Sequence, residues 1–328
     1  MSTTRSLLSS LLLASLVAAC GDDGAATPDA ATPVDACPGG DCGVALEDPE
    51  GGNIIFEYIY VDSELQAGLG LPGPTATRVM AYFMSAQSPE SNPLPMGGKC
   101  NNLDATAGWP MHIGTPHTDI DVGTLAINGV NTAGTASSIP MTKMLAMRDN
   151  IGRPHDLFYQ NITPTAANLL KPDTSYDVVM GGTGVFPATT LTDALFLPAD
   201  YTIGTPARED NGPLMATADF TVTWNPATSA NLPAGDEVLG LVWLIDSNGS
   251  PTHLCPTLHS AGTFTIPAAT IAEYKTVATA RGANPAKVIL SRQAVDHRIV
   301  RLPNTEATNL RRIDMLGITC WIQLMDVQ

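Results

Sequence analysis

The sequence predicts an all-β protein. From Ile54 onward, short runs of β-branched and aromatic residues recur at period two, the spacing that sends successive side chains to opposite faces of a strand. Turn signals such as Asp210-Asn211-Gly212 and Ser247-Asn248-Gly249 separate these runs. Apolar residues at helical spacing are sparse, so strands are expected to build the core.

The clearest runs cover most of the chain beyond the first fifty residues. In chain order they predict the strands Ile54–Val61, Arg78–Met84, Thr124–Ile127, Tyr176–Met180, Ala194–Leu197, Asp219–Trp224, Val238–Ile245, Thr263–Ile266, Lys287–Leu290, His297–Leu302 and Met315–Met325. Dense Ala and Leu predict a turn or two of helix at Thr163–Leu170 and at Ala268–Ala278.

The N-terminus carries a secretion signal. A short positive start and the apolar run Leu7 to Leu16 precede Val17-Ala18-Ala19-Cys20, which resembles the lipobox of bacterial lipoproteins. The resemblance implies that residues 1–19 are a signal peptide and that Cys20 is lipidated. The partner implied is then a membrane, in which the N-terminal lipid would anchor the protein. Gly21 follows the cysteine where an Asp would imply retention at the inner membrane, which indicates the outer membrane. The alternative is an ordinary secretory signal with Cys20 as a disulfide partner.

Residues 20–51 are expected to be a disordered tether rich in Ala, Asp and Pro. Large apolar side chains are almost absent there, so the segment cannot bury enough surface to fold. Residues 21–50 contain eight acidic residues and neither Lys nor Arg.

The charge balance argues against a nucleic-acid partner. The chain has a formal net charge of −16, and phosphate binding needs clustered Lys and Arg. Eight basic residues do fall in one stretch, where a solvated strand face is the simplest interpretation: Lys275, Arg281, Lys287, Arg292, Arg298, Arg301, Arg311 and Arg312.

Disulfides are allowed in the oxidising compartment that this signal implies. Cys37 and Cys42 bracket a four-residue turn and are predicted to pair. Of the remaining three cysteines we favour Cys100–Cys255, because both lie in turn-rich segments beside predicted strands. Cys320 sits in an apolar run, so we expect a buried free thiol.

Two segments resemble fibronectin type III and immunoglobulin-like β-sandwiches. Leu170-Lys171-Pro172-Asp173-Thr174-Ser175-Tyr176 resembles the tyrosine corner, in which a Tyr hydroxyl folds back onto the upstream backbone. Phe220–Trp224, followed by Val238–Ile245, resembles the strands around the core Trp. Since the two features come in the reverse of the family's order, the resemblance implies two adjoining sandwiches, at residues 52–200 and 201–328, or one larger sandwich of non-standard topology.

Hydrolase and nucleotide-binding signatures are missing from the sequence. Met141, Met144 and Met147, with His112 and His117, are a candidate copper site, because thioethers select Cu(I) and imidazoles bind copper. The competing interpretations are a helical core stripe for the methionines and a polar surface loop for the histidines.

Two other groups of histidines have simpler interpretations. His253 and His259 flank Cys255, but a disulfide at Cys255 would prevent its sulfur from binding a metal ion. His297, Ile299 and Arg301 alternate as on the wet face of a strand.

The leading hypothesis is a lipid-anchored, non-catalytic binding or structural module that needs no cofactor and contacts a protein or glycan partner. Such a module should present an exposed aromatic patch or a cluster of loops. The alternatives are a periplasmic copper carrier and a hydrolase whose His and Asp converge in a cleft.

Overall fold

A computed structural model describes most of the chain from residue 51 onward and confirms the all-β class, with large multi-stranded sheets arranged as in a sandwich. The described residues are 51–71, 73–84, 99–103, 118–145, 147–148, 154–163, 171–183, 186–209, 212–226, 228–232, 236–303 and 310–328. The predicted signal peptide, nearly all of the predicted tether, Cys20 and the predicted Cys37–Cys42 pair lie outside these residues.

Strands dominate the described part. In chain order they are β1 (Gly51–Val61), β2 (Thr75–Met84), β3 (Asn101–Asn102), β4 (Leu125–Val130), β5 (Ala136–Pro140), β6 (Thr142–Met144), β7 (Met147–Arg148), β8 (Pro154–His155), β9 (Phe158–Thr163), β10 (Thr174–Met180), β11 (Thr189–Leu197), β12 (Thr202–Ile203), β13 (Phe220–Asn225), β14 (Leu239–Asp246), β15 (Pro251–Leu258), β16 (Thr263–Ile266), β17 (Lys287–Pro303) and β18 (Leu310–Asp326). Two helices, α1 (Ser63–Leu69) and α2 (Ala268–Ala280), and a 3-10 turn (His259–Ala261) accompany them.

The main sheet has nine strands in the order β3-β15-β14-β17-β18-β1-β2-β9-β6. At its centre, β17 and β18 form an antiparallel hairpin of 17 residues on each side. β14 pairs with one side of this hairpin, and β1 pairs in parallel with the other. Strands from both sides of residue 200 therefore share one sheet. The prediction of two sandwiches divided there needs correction, and the alternative of one larger sandwich of non-standard topology fits these strands.

The two faces of the main sheet bury different cores, as β1 illustrates. Ile55 and Ile59 belong to a core that lies along one face, whereas Ile54, Phe56 and Tyr58 contribute to a second core on the other face. This follows from the two-residue side-chain period. A third core occupies the far end of that second face, on β14, β17 and β18.

Two smaller sheets cover the second face. The four-stranded sheet β11-β10-β4-β5 packs on the second core, and the three-stranded sheet β12-β13-β16 packs with α2 on the third core. Gly317 on β18 marks where β11 comes closest, because a Cβ there would lie 1.6 Å from the carbonyl oxygen of Phe196. Only glycine fits that crossing.

The tyrosine corner is present on β10. The hydroxyl of Tyr176 accepts a hydrogen bond from the backbone N–H of Lys171 at 2.7 Å and lies within 3.2 Å of the carbonyl of Val130. The side chain is buried and its ring packs edge-on against Phe56 of the main sheet at 5.1 Å. The corner therefore joins the four-stranded sheet to the main sheet.

Several local predictions are confirmed and others are corrected. Helix Ala268–Ala278 is present as α2, and the other helical prediction lies outside the described residues apart from Thr163, which ends β9. The two predicted strands between residues 287 and 302 are one strand. Strand β15 was missed because Pro251 and Pro256 interrupt its pattern. The Cys100–Cys255 disulfide and the buried free thiol of Cys320 are confirmed.

Candidate functional site

Residues 198–209, the crossing segment, run over the second face of the main sheet between its two cores. Alternate side chains of β18 hold its backbone: Thr319 Oγ1 donates to the carbonyl of residue 198 at 2.8 Å, and Trp321 Nε1 donates to that of residue 201 at 3.0 Å. Gln323 Nε2 donates to the carbonyl of residue 207 at 2.6 Å. These three alternate positions on one face of β18 carry side chains with N–H or O–H groups because backbone carbonyls that pack on a sheet need hydrogen-bond donors.

Arg292 on β17 is the cationic residue beneath the crossing segment. It is the cross-strand neighbour of Trp321, which in turn neighbours Tyr60 on β1, so the three side chains form one row across the sheet. Only 1% of Arg292 is exposed, and its guanidinium donates to the carbonyl of Pro206 at 3.0 Å and to the side chain of Gln323. Burial lowers the pKa of Arg292 to about 10, which leaves the group charged at neutral pH.

His259 and Arg292 line the same narrow crevice, together with Tyr201 and Trp224. The His259 ring stacks near Trp224 at 6.0 Å and meets Tyr201 edge-on at 4.8 Å. Burial lowers its pKa to about 4, so the imidazole is neutral at pH 7. Among the residues that the structure describes, neither Nε2 of His259 nor Nε of Arg292 has a hydrogen-bond partner.

Tyr58, Tyr60 and Trp321 form an aromatic ridge where the second and third cores meet. Tyr60 stacks on Trp321 with ring centroids 4.3 Å apart and planes 9° apart, and Tyr58 packs against Tyr60 at 5.0 Å. Tyr60 and Trp321 are half-buried. Tyr60 donates its hydroxyl hydrogen to Oδ2 of the exposed Asp200 at 2.7 Å, and burial together with this carboxylate raises the pKa of Tyr60 far above its usual range.

The other face of the main sheet buries two charged pairs. Nε of Arg78 lies 2.5 Å from Oε2 of Glu57, and both side chains are fully buried. Nε2 of His297 lies 2.9 Å from Oδ1 of Asp314. Asp314 is buried and only 8% of the His297 side chain is exposed, so the prediction that His297 lies on a wet strand face is wrong. A carboxylate orients an imidazole in this way in catalytic and metal sites, but burial of both members argues for a structural role.

The methionines of the candidate copper site occupy different places. Met141 packs into the second core, and Met144 on β6 packs against the first core on the opposite face of the main sheet. Met147 is in the short strand β7. Because β6 is extended, the helical stripe proposed for these residues is wrong. His112 and His117 lie outside the described residues, so the structure does not place them relative to the methionines.

Three described members of the basic stretch do not share one solvated surface. Arg292 is buried, Arg298 pairs with Asp296 at 2.7 Å, and Lys287 pairs with Asp326 at 2.8 Å. The solvated-face interpretation is therefore wrong for Arg292 and incomplete for Arg298 and Lys287. The side chains of Arg301, Arg311 and Arg312 lie outside the described residues.

Sequence reasoning missed Arg292, Tyr201, Tyr60 and Trp321 as members of one site. Tyr60 and Trp321 were placed only as parts of strands, and their contact depends on the parallel pairing of β1 with β18, two segments some 260 residues apart. One feature of the sequence could have identified Arg292. It lies two residues from both Leu290 and Ala294, so it shares their strand face, and an Arg on a buried face needs buried polar partners.

Comparisons with known proteins do not assign this site. No protein-family model matches the chain, and no curated protein matches it. Within the described ranges, no three His, Cys, Asp or Glu side chains lie close enough together to hold a metal ion. The helices described above are all too short or too polar to cross a bilayer.

Proposed function

We propose that this protein is a lipid-anchored lipoprotein of the bacterial outer membrane whose β-sandwich body is a non-catalytic binding module. The anchor is inferred from the lipobox at Val17–Cys20, and the acidic tether would let the body reach a partner beyond the membrane surface.

The aromatic ridge is the observation that carries the binding role. Tyr and Trp supply large, rigid contact areas at little cost in conformational entropy, and they are enriched among the residues that dominate binding energy. Tyr58 is buried, but Tyr60 and Trp321 stay half-buried and so keep part of their surface accessible, although strands and the crossing segment surround the ridge. Asp200 places an exposed carboxylate beside it that can accept hydrogen bonds from a protein or glycan partner.

The binding role is tested with full-length lipidated protein and separated envelope fractions, namely peptidoglycan sacculi and outer-membrane vesicles. We expect Tyr60→Ala to weaken binding about tenfold or more, as for a central interface aromatic. Tyr60→Phe, which removes only the hydroxyl bonded to Asp200, should have a smaller effect. Leu258→Ala is the matched control, because Leu258 is 36% exposed and lies outside the ridge.

Two results would contradict the proposal separately. Unchanged binding by Tyr60→Ala, with Leu258→Ala also unchanged, would exclude the ridge as the contact surface. A mature N-terminus that mass spectrometry finds without diacylglycerol on Cys20 would exclude the anchor, whatever the ridge binds.

A further inference from the structure

We propose that the aromatic ridge binds a basic segment of a protein partner, whose Lys or Arg side chain lies against Tyr60 and pairs with the carboxylate of Asp200. This inference rests on the proposed function, because it uses the same surface, and it adds the chemistry of the partner. The competing occupant of the ridge is a neutral glycan.

The first observation is an exposed carboxylate that lacks a cation. Asp200 accepts the hydroxyl hydrogen of Tyr60 through Oδ2 at 2.7 Å. Among the residues that the structure describes, no Lys, Arg or His pairs with Asp200, whereas the exposed Glu209 pairs with Arg208 at 3.3 Å. A carboxylate bonds a cationic donor about twice as strongly as neutral partners bond each other. Asp200 therefore favours a Lys or Arg side chain over the neutral hydroxyls of a glycan.

The second observation is the aromatic ring beside this carboxylate. Trp321 stacks on one face of the Tyr60 ring, with centroids 4.3 Å apart. The cross-strand neighbour of Tyr60 on its other side is Thr75, whose side chain is short and which is itself partly exposed. Aromatic faces attract cations because the ring quadrupole is negative there. A cation that reaches Asp200 therefore also gains a contact with Tyr60.

The charge of the body also favours a basic partner. Residues 51–328 contain 24 acidic and 15 basic residues, so the body attracts cationic proteins at long range and repels anionic surfaces. Arg292 lies in the same row on the far side of Trp321, where it is 1% exposed and bonded to the crossing segment. Its charge disfavours a second cation beside Trp321, so the cation of the partner is expected on the side of Tyr60 and Asp200.

The test uses full-length lipidated protein and two peptides, a fluorescent oligolysine and the same peptide with every lysine acetylated at Nζ, which removes the charge. We expect the oligolysine to bind and the acetylated peptide not to compete. Asp200→Asn keeps an acceptor for the Tyr60 hydroxyl and should weaken oligolysine binding about threefold or more. Glu237→Gln is the matched control, because it removes one exposed carboxylate from the segment before β14. It measures the effect of net charge alone and should change binding by less than about twofold.

The outcomes separate this inference from the proposed function. If Tyr60→Ala loses binding to envelope fractions but Asp200→Asn binds oligolysine as Glu237→Gln does, the ridge remains the contact surface and the basic partner is refuted. Equal binding of the acetylated peptide would refute it too, as would tighter binding of an N-acetylglucosamine oligosaccharide than of oligolysine. Unchanged envelope binding by Tyr60→Ala would instead refute the proposed function, and this inference with it.

Discussion

Replacing Arg78 by Met should be one of the most destabilising single changes in this protein. Arg78 and Glu57 are cross-strand neighbours on β2 and β1, both side chains are fully buried, and Nε lies 2.5 Å from Oε2. The substitution keeps much of the aliphatic volume of Arg78 but leaves the Glu57 carboxylate in the core without its cation. The negative charge of Glu57 then loses the guanidinium that stabilises it at a fully buried position.

The expected loss is about 3–5 kcal/mol of unfolding free energy, the range for breaking a buried ion pair by removing one partner. For a body of this size each kcal/mol lowers Tm by about 2–4 °C, so Tm should fall by roughly 6–20 °C. Guanidinium unfolding monitored by tryptophan fluorescence measures the free energy, and calorimetry measures Tm. The m-value should not change, because the same surface is exposed on unfolding.

A double variant separates the charge effect from packing. Glu57→Leu with Arg78→Met replaces the pair by apolar side chains and should recover most of the loss, because no charge is then buried. Lys143→Met breaks the exposed pair with Asp121 and should cost no more than about 1 kcal/mol. A loss below about 1 kcal/mol for Arg78→Met alone would refute the reasoning, as would a double variant less stable than the single one.

Three further predictions concern the corner, the buried imidazole and the disulfide. Tyr176→Phe deprives the Lys171 N–H of its acceptor and should cost about 1–3 kcal/mol in denaturant unfolding; an unchanged midpoint would argue that water replaces the hydroxyl. His259 has a folded pKa of about 4 against 6.5 unfolded, so the unfolded state binds more protons between these values, and the stability that this residue contributes is complete above pH 6.5 and lost as pH falls toward 4. Relative to His259→Phe, the wild type should lose about 3 kcal/mol between pH 7 and pH 4, and parallel pH curves would contradict this. Cys100→Ser opens a bridge across 155 residues and should cost about 2–5 kcal/mol, measured against wild type with and without reductant, which should affect only the wild type.

Predictions from local sequence were confirmed where the decisive interaction is short in range. Tyr176 and the backbone of Lys171 are five residues apart, so the motif itself contains both partners of the corner. Helix α2 and most strands follow from patterns of a few residues in the same way. The disulfide between Cys100 and Cys255 was inferred from their turn-rich flanks, although the segments that it joins are distant in sequence.

The candidate site was not predictable on the same basis. The stack of Tyr60 on Trp321 exists because β1 pairs with β18 in one particular parallel register, and a shift of one residue would send Trp321 to the opposite face. Arg292 was read as a surface cation because its partners lie in residues 205–206 and 323, which become neighbours only after the crossing segment is laid over the sheet.

The sequence by itself determined the all-β class and the tyrosine corner, and it is the source of the proposed lipid anchor. The class and the corner rest on residue type and on alternation along a single segment, which local sterics and the burial of apolar side chains are enough to dictate. The Cys100–Cys255 pairing was favoured from the flanks of the two cysteines, and the tertiary structure brings them together. Only the tertiary structure decided that residues on both sides of position 200 build one nine-stranded sheet, and that Tyr60, Trp321 and Arg292 lie in one row. The reason is that strand order and register depend on the summed packing of distant segments, which no single segment contains.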